Sequence, residues 1–409
     1  MSDNTAQLAL RQRPALFADT PLRACPAGSV RSLYIHIPFC THKCHYCDFY
    51  SLVDSRQRFD AFTDRLCAEL ATLSRYAAPL QTLYIGGGTP TLLPNHCWHK
   101  VLDTLHRYFR FAPDVEFTVE CNPETADARL FGLLAEAGVQ RLSMGAQSFN
   151  PTHLATLQRV HTPESLPKAI RLARQAGLTR LSFDLIYAIP GQTLEDWRDD
   201  LRRAVDLGTD HISCYNLTYE PKTAMTARLE RGLIVPTPEE LEIEMFHLAA
   251  SELGSAGFAR YEVSNYARPG QECRHNLAYW RQHDWLAAGP SASAHVAGHR
   301  WKNIPHLDTY LSHSVQGLAP IVDHEPPDPA RAIRESIMTG LRLREGLAAG
   351  PLLERVASAC PQRAQDLSDA IDALRARGWL DPDRSVLRLT EIGILYADGA
   401  ASELMLSLI

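Results

Sequence analysis

Between Ser32 and Tyr219 short apolar runs alternate with amphipathic stretches, and this rhythm restricts the fold more than any other feature of the chain. Runs rich in β-branched and aromatic residues fall at 33–37, 81–85, 115–119, 140–144, 180–187 and 211–217. Helical periodicity fills the intervals at 56–76, 95–109, 126–137, 151–176 and 193–207. Gly138, Gly177 and Gly208 follow three of these stretches, where a left-handed residue ends a helix. Strand–helix alternation gives a parallel sheet with right-handed crossovers. Six strands fall short of a closed eight-fold barrel. The expected fold is therefore α/β, an open partial (β/α)6 barrel over 32–220, with its gap covered by later chain.

The rest of the chain divides by pattern. Residues 1–31, with Pro14, Pro21 and Pro26, read as an irregular leader. Over 221–327 the rhythm is lost. A helix is expected at 237–256 and a strand at 258–265. A loop rich in Gly, His and aromatics then runs from Pro269 to Trp301, and this region should flank the barrel and close part of its site. Over 328–409 small helices at 328–340, 351–358 and 363–377 precede a hairpin-like stretch from Gly378 to Leu389. Thr390 then caps a last helix. This pattern predicts a winged-helix-like α+β module. It carries no Lys/Arg stripe, so docking or structure is expected of it rather than nucleic-acid binding. The net charge of −6 also points away from nucleic acid and anionic membranes. No apolar stretch reaches the ~18 residues of a membrane span, and the polar N-terminus lacks a signal-peptide core. A reducing cytoplasm is expected.

Chemistry is concentrated in Cys40-Thr-His-Lys-Cys44-His-Tyr-Cys47, on a loop after the first strand. Ligands bind at that edge of parallel α/β folds. Three thiolates leave one position open on a tetrahedral zinc or on a four-iron cluster. Zinc would take His42 or His45 as its fourth ligand. A cubane would keep one iron open for chemistry.

Gly86-Gly87-Gly88-Thr89-Pro90-Thr91 ends the second strand, where glycines let a ligand approach the backbone and expose amide donors. Glu120 and Gln147 end the third and fourth strands, and Asp184 lies within the fifth. A polar group left unpartnered in such runs costs about 1–3 kcal/mol, so each needs a network or a ligand. Arg159, twelve residues after Gln147, suits an anion such as a carboxylate.

Taken in order, Tyr34-Ile-His-Ile-Pro-Phe-Cys40, the thiol triplet, GGGTPT, Val119-Glu-Cys-Asn-Pro123, Arg141-Leu-Ser-Met-Gly-Ala-Gln-Ser-Phe149 and Asp184-Leu-Ile-Tyr-Ala-Ile-Pro-Gly-Gln192 resemble the HemN superfamily, the oxygen-independent coproporphyrinogen III dehydrogenases. These are radical S-adenosylmethionine (SAM) proteins. The resemblance runs from about residue 32 to the C-terminus. It implies a [4Fe–4S] cluster on Cys40, Cys44 and Cys47 with SAM on the open iron, the source of a 5′-deoxyadenosyl radical, and one or two SAM molecules. Carried over, Tyr34, Tyr46, Gly87 and Glu120 would touch the cluster-bound SAM, and Gly88, Thr89, Gln147, Arg159 and Asp184 would lie by a second position.

Two features divide the branches of that superfamily. The dehydrogenases carry a fourth cysteine where this chain has Phe49. His275-Asn-Leu-Ala-Tyr-Trp280 matches the HNxxYW motif of the heme-chaperone branch. The resemblance then implies heme, a heme-acceptor protein (a membrane protein among the possibilities) and an electron donor, without coproporphyrinogen decarboxylation. His275 offers an imidazole to iron, with Tyr279 and Trp280 as aromatic faces and Cys273 and His295 as rival ligands. The alternative is the dehydrogenase itself.

Overall fold

A computed structural model of the chain describes residues 16–54 and 58–409. The leader before Leu16 and the residues just ahead of the first helix lie outside these. The six expected strands are β1 (Val30–Ile37), β2 (Ala77–Gly87), β3 (Phe111–Cys121), β4 (Arg141–Gln147), β5 (Arg180–Tyr187) and β6 (His211–Asn216). Neighbours pair in parallel from β1 to β6. Helices Phe59–Leu73, Asn95–Tyr108, Ala128–Glu136, Ser165–Gln175 and Leu194–Asp206 make the crossovers. The long amphipathic stretch at 151–176 is two helices, the first being Pro151–Thr156. Asp127 caps the third crossover helix, and Thr193 with Asp196 forms a capping box on the last. The strands alternate: Leu33, Ile35, Leu83, Ile85, Phe117, Val119, Leu142 and Met144 belong to the apolar core, and the residues between them, such as Ser32, Thr82, Thr118 and Ser143, are buried polar groups on the other face. Trp98 and Trp197, on crossover helices, are fully buried in this core.

Later chain extends both edges of the sheet, in the order β7-β8-β6-β5-β4-β3-β2-β1-β9. The single strand expected at 258–265 is instead two short ones, β7 (Ala259–Arg260) and β8 (Asn265–Ala267). They form an antiparallel hairpin whose β8 runs antiparallel to β6. At the opposite edge β9 (Leu286–Ala288) lies parallel to β1. A small antiparallel sheet follows, built from β10 (Ser293–Val296), β11 (His299–Asn303) and β12 (Ile321–Glu325).

One buried carboxylate fastens this later chain to the barrel. Glu69, on the first crossover helix, accepts hydrogen bonds from the Gly289 amide (2.9 Å), Asn303 Nδ2 (3.1 Å) and Tyr310 Oη (2.6 Å). Burial raises its pKa against the Arg65 charge and these three donors. The described leader packs here too, through Leu16 O accepting from Ile321 N at 2.7 Å and through buried Ala18 and Leu22.

Residues 329–408 have a core of their own, around Ile337, Val356, Leu367, Leu374 and Leu404. Helices Pro329–Gly340, Ala349–Ala359, Ala364–Ala376 and Ala397–Leu406 surround it. β13 (Leu347–Ala348) pairs antiparallel with β14 (Val386–Leu387), and a bridge joins Leu380 to Leu389. Thr390 Oγ1 accepts from Gly393 N at 2.9 Å, ahead of the last helix. Glu391 ties the module to the barrel through Arg260 and pairs within the module with Arg344, each at 2.6 Å.

Replacing Glu69 by Ala strands three buried donors at the seam between β9 and the first crossover helix. The expected loss is about 3 kcal/mol, measured by urea unfolding, with new protease cleavage confined to 286–312.

Candidate functional site: a thiol cavity and an aromatic cavity

Two adjoining cavities open at the carboxyl ends of the strands. The first, about 450 Å³, is lined by all three loop cysteines and by Tyr46, Gly87, Gly88, Thr89, Glu120, Gln147, Arg159 and Asp184. The second, about 460 Å³, is lined by Tyr34, Tyr50, Tyr84, Tyr279, Trp285, His36 and His275 among others. Tyr84, Gly87, Glu120, Asp48, Phe49, Tyr215 and Asn276 border both. Of the residues singled out beside the cluster and SAM, only Tyr34 falls outside the first cavity. Its hydroxyl bonds His36 Nδ1 at 2.9 Å in the second.

The glycine triplet behaves differently from expectation. Its amides face the protein rather than open space. Gly87 N donates to Glu120 Oε2 (2.9 Å), Gly88 N to Ile37 O (2.8 Å) and Thr89 N to Phe39 O (2.7 Å). A Cβ at Gly86 would stand 2.7 Å from the Glu120 carboxyl carbon, and one at Gly87 2.7 Å from the His36 ring. A Cβ at Gly88 would stand 2.6 Å from Phe39 O and 3.0 Å from Cys40 Sγ. The triplet therefore lets β2 nest against the thiol loop and the Glu120 carboxylate.

A polar chain connects two of the thiols. Thr89 Oγ1 donates to Cys40 Sγ (3.6 Å) and accepts from Asn122 Nδ2 (2.9 Å). Asn122 Oδ1 accepts from Arg159 Nη2 (2.8 Å), and Arg159 Nη1 donates to Cys44 Sγ (3.6 Å). Arg159 thus lies inside the site, not on a solvated helix end. Gln147 adopts the left-handed conformation (φ 62°). The turn after it is clamped by Asp200, which accepts from Ser148 Oγ (2.8 Å) and Phe149 N (2.6 Å). Burial raises Asp184 against its bonds to Ser213 and Ser143 and the charges of Arg141 and Arg159.

Glu120 stands between the cavities, accepting from Tyr84 Oη (2.8 Å) on one oxygen and Gly87 N on the other. Burial pushes its carboxyl up to about 7.

Tetrahedral zinc, with Zn–S near 2.3 Å, holds its thiolates about 3.8 Å apart. Among the described residues, the three metal-ligating side chains whose ligand atoms all lie within 4.8 Å of one another are Asp60, His96 and Cys97, a surface ion pair beside a packed thiol. The three loop sulfurs do not form such a group. Of the two histidines of the loop, His42 lines the thiol cavity, whereas His45 does not and lies 3.5 Å from Arg228.

The heme motif splits across its helix. His275 and Tyr279, one turn apart on helix Arg274–Trp280, share a face. Both line the aromatic cavity. His275 Nδ1 bonds Thr82 Oγ1 (2.8 Å), Nε2 bonds Tyr279 Oη (2.8 Å), and its ring stacks on Tyr84. Burial lowers its pKa to about 3, so the imidazole is neutral. Trp280 does not line the cavity as expected. One residue beyond Tyr279 is a rotation of about 100°, and its ring instead faces Arg342 at 5.8 Å. Trp285 takes that place, 4.4 Å from the Tyr279 ring. Cys273, bonded to Glu116 (3.6 Å), and His295, bonded to His283 O (3.3 Å), line neither cavity.

Comparison with known proteins follows the same lines. The radical SAM superfamily model matches residues 34–204. The heme chaperone HemW of Mycobacterium tuberculosis is 36% identical over 404 residues, spanning 97% of this chain and 100% of that protein. This chain belongs to the HemW family. The heme chaperone HemW of Bacillus subtilis is 33% identical, over 90% of this chain and 97% of its own. The solved structure of coproporphyrinogen III oxidase (HemN) from Escherichia coli superposes with a TM-score of 0.81 at 23% identity. The superposition covers 97% of this chain and 98% of that one, and it shows the same fold. As in other HemW-family chains, the radical SAM domain implies a [4Fe–4S] cluster and SAM. The thiol cavity has the donors and room for both.

Residues of the site that the sequence does not single out include Tyr84, which lines both cavities, and Asn122, which lies three residues past Val119 at the end of the third run. Arg141 is buried at the start of β4 and lines the thiol cavity. Trp285 and Lys302 come from the later chain, where no periodicity points to a site.

Because the folded pKa of Glu120 lies above its ordinary value, its neutral form stabilises the fold below about pH 4.5. That contribution disappears as pH rises through 7. Wild-type protein should lose more melting temperature between pH 5 and pH 8 than Glu120→Gln, compared side by side without added SAM. Equal losses would show that Glu120 does not titrate in this window.

Proposed function

We propose that this protein binds heme and passes it to an acceptor protein, while Cys40, Cys44 and Cys47 hold a [4Fe–4S] cluster and SAM occupies the thiol cavity. The observation that carries this reading is an aromatic cavity, walled by the HNxxYW histidine and tyrosine, directly beside the thiol cavity. Tyr34, Tyr84, Tyr279 and Trp285 supply the apolar, polarisable faces that suit a porphyrin. The names of the HemW relatives agree with it.

Within this reading the chain's residues have separate tasks. The thiols ligate the cluster. When bound, the cluster supplies one electron at a time and an open iron for SAM. Tyr46, Gly87 and Glu120 flank the SAM nearest the thiols, with Tyr34 behind Glu120. Gly88, Thr89, Gln147, Arg159 and Asp184 form the wall for a second SAM. Thr82 holds His275 Nδ1 and so directs Nε2 into the aromatic cavity, the arrangement found in metal-binding histidines. Tyr279 Oη bonds that nitrogen at 2.8 Å. Heme iron reaches His275 only when this hydroxyl moves aside. The chain has ten cysteines, all free, which suits a reducing cytoplasm. No helix among the described residues is long and apolar enough to cross a membrane.

Anaerobic reconstitution followed by heme titration tests the reading. Alanine at Cys40, Cys44 and Cys47 together should abolish the broad visible absorbance and most bound iron while heme still binds. His275→Ala should weaken heme by roughly tenfold, one lost ligand bond being only part of the binding free energy, and shift its Soret band, leaving iron–sulfur content intact. No change in either heme measurement would remove His275 as the ligand. Protoporphyrinogen formation from coproporphyrinogen III with SAM and a reductant would establish the dehydrogenase instead.

A further inference from the structure

We infer that Lys302 receives a carboxylate of the porphyrin cargo and fixes which way the cargo faces. This rests on the heme reading above and adds to it a binding group and an orientation. Lys302 lies on β11, paired with Ser293 of β10 and Val322 of β12, and its side chain lines the aromatic cavity. It is the one Lys or Arg among the described residues lining that cavity. Among the described residues its ammonium has no ion-pair or hydrogen-bond partner. An unpaired ammonium beside aromatic walls is complementary to a ligand that is flat and apolar with carboxylates on one edge. Heme is such a ligand. Its propionates would form the charge-assisted bonds that Lys302 lacks.

The charges around the cavity are arranged by position. Asp48 and Glu120 lie on the border shared with the thiol cavity. Lys302, Ser291 and Ser293 line the aromatic cavity alone. Carboxylates pointed at the shared border would meet two acids. Pointed at β10 and β11 they meet an ammonium and two hydroxyl-bearing residues. His36, near Lys302, is held neutral, at about 4, chiefly by burial, so it neither competes for the carboxylates nor adds charge. The propionate edge therefore faces Lys302 and the unsubstituted edge faces the thiol cavity.

The test is equilibrium titration of the anaerobically reconstituted full chain with heme and with heme dimethyl ester, whose carboxylates are masked. Wild type, Lys302→Gln and Lys302→Arg are compared. Lys302→Gln should bind heme roughly tenfold more weakly, the scale of one charge-assisted hydrogen bond. It should bind the ester as wild type does, and Lys302→Arg should keep most of the heme affinity. Lys302 is partly exposed on a small surface sheet, so the variants should fold, and unchanged iron–sulfur content checks that they do. Equal heme affinity in wild type and Lys302→Gln overturns the inference. So does an equal loss for heme and ester, which would mean the side chain packs rather than pairs. If wild type binds neither molecule, the heme reading falls and this inference with it.

Discussion

The Glu120 carboxylate holds the site together. One oxygen is fixed by a backbone amide of the glycine triplet and the other by Tyr84, so β2 and β3 are locked at the point where both cavities begin. Gly86 has no side chain because the carboxylate occupies that space. Gly87 turns through φ 120° with His36 against its α-carbon. Gly88 yields to the loop that carries Cys40. A buried acid thus determines the backbone beside it, and that backbone determines where the thiols stand. The carboxylate is also the common wall between the thiol cavity and the aromatic cavity.

The remainder of the thiol cavity is a chain of short polar links. Cys40, Thr89, Asn122, Arg159 and Cys44 are joined in that order around the loop. Arg159 joins the loop to the β4 crossover, since one nitrogen of its guanidinium reaches Asn122 and the other Cys44. Asp200 works one layer further out. It clamps the turn after Gln147 and so holds in place a side chain on a strained backbone. These supports come from four different crossovers, and the site forms only once the parallel sheet has closed.

Much of this was legible before any coordinates. The strand–helix rhythm placed all six parallel strands, since each leaves a short run whose apolar row packs in the core. The polar residues interrupting those runs, Glu120, Gln147 and Asp184, all line one cavity, because a polar group survives there only with partners. The later chain was harder to read. β7, β8 and β9 are two or three residues long, too short for a period to show. Trp285 and Lys302 reach the aromatic cavity through pairings set by Glu69 and Asn303, far apart in sequence. The Trp280 expectation failed for a local reason that the sequence did contain: on a helix, residues one apart do not share a face.

That last point has a mechanical side. Helix Arg274–Trp280 is seven residues long, with His275 and Tyr279 on one side and Trp280 on the other. Just past its end, Arg281 forms a forked pair with Glu345 (3.0 and 3.1 Å), and Gln282 bonds Thr339 (3.3 Å), both in the C-terminal module. The helix is a short axle, with His275 at one rim and the module at the other. His275 and Tyr279 are thus separated from Glu345 and Thr339 by little more than one helical turn, and the position of the C-terminal module bears directly on the wall of the aromatic cavity.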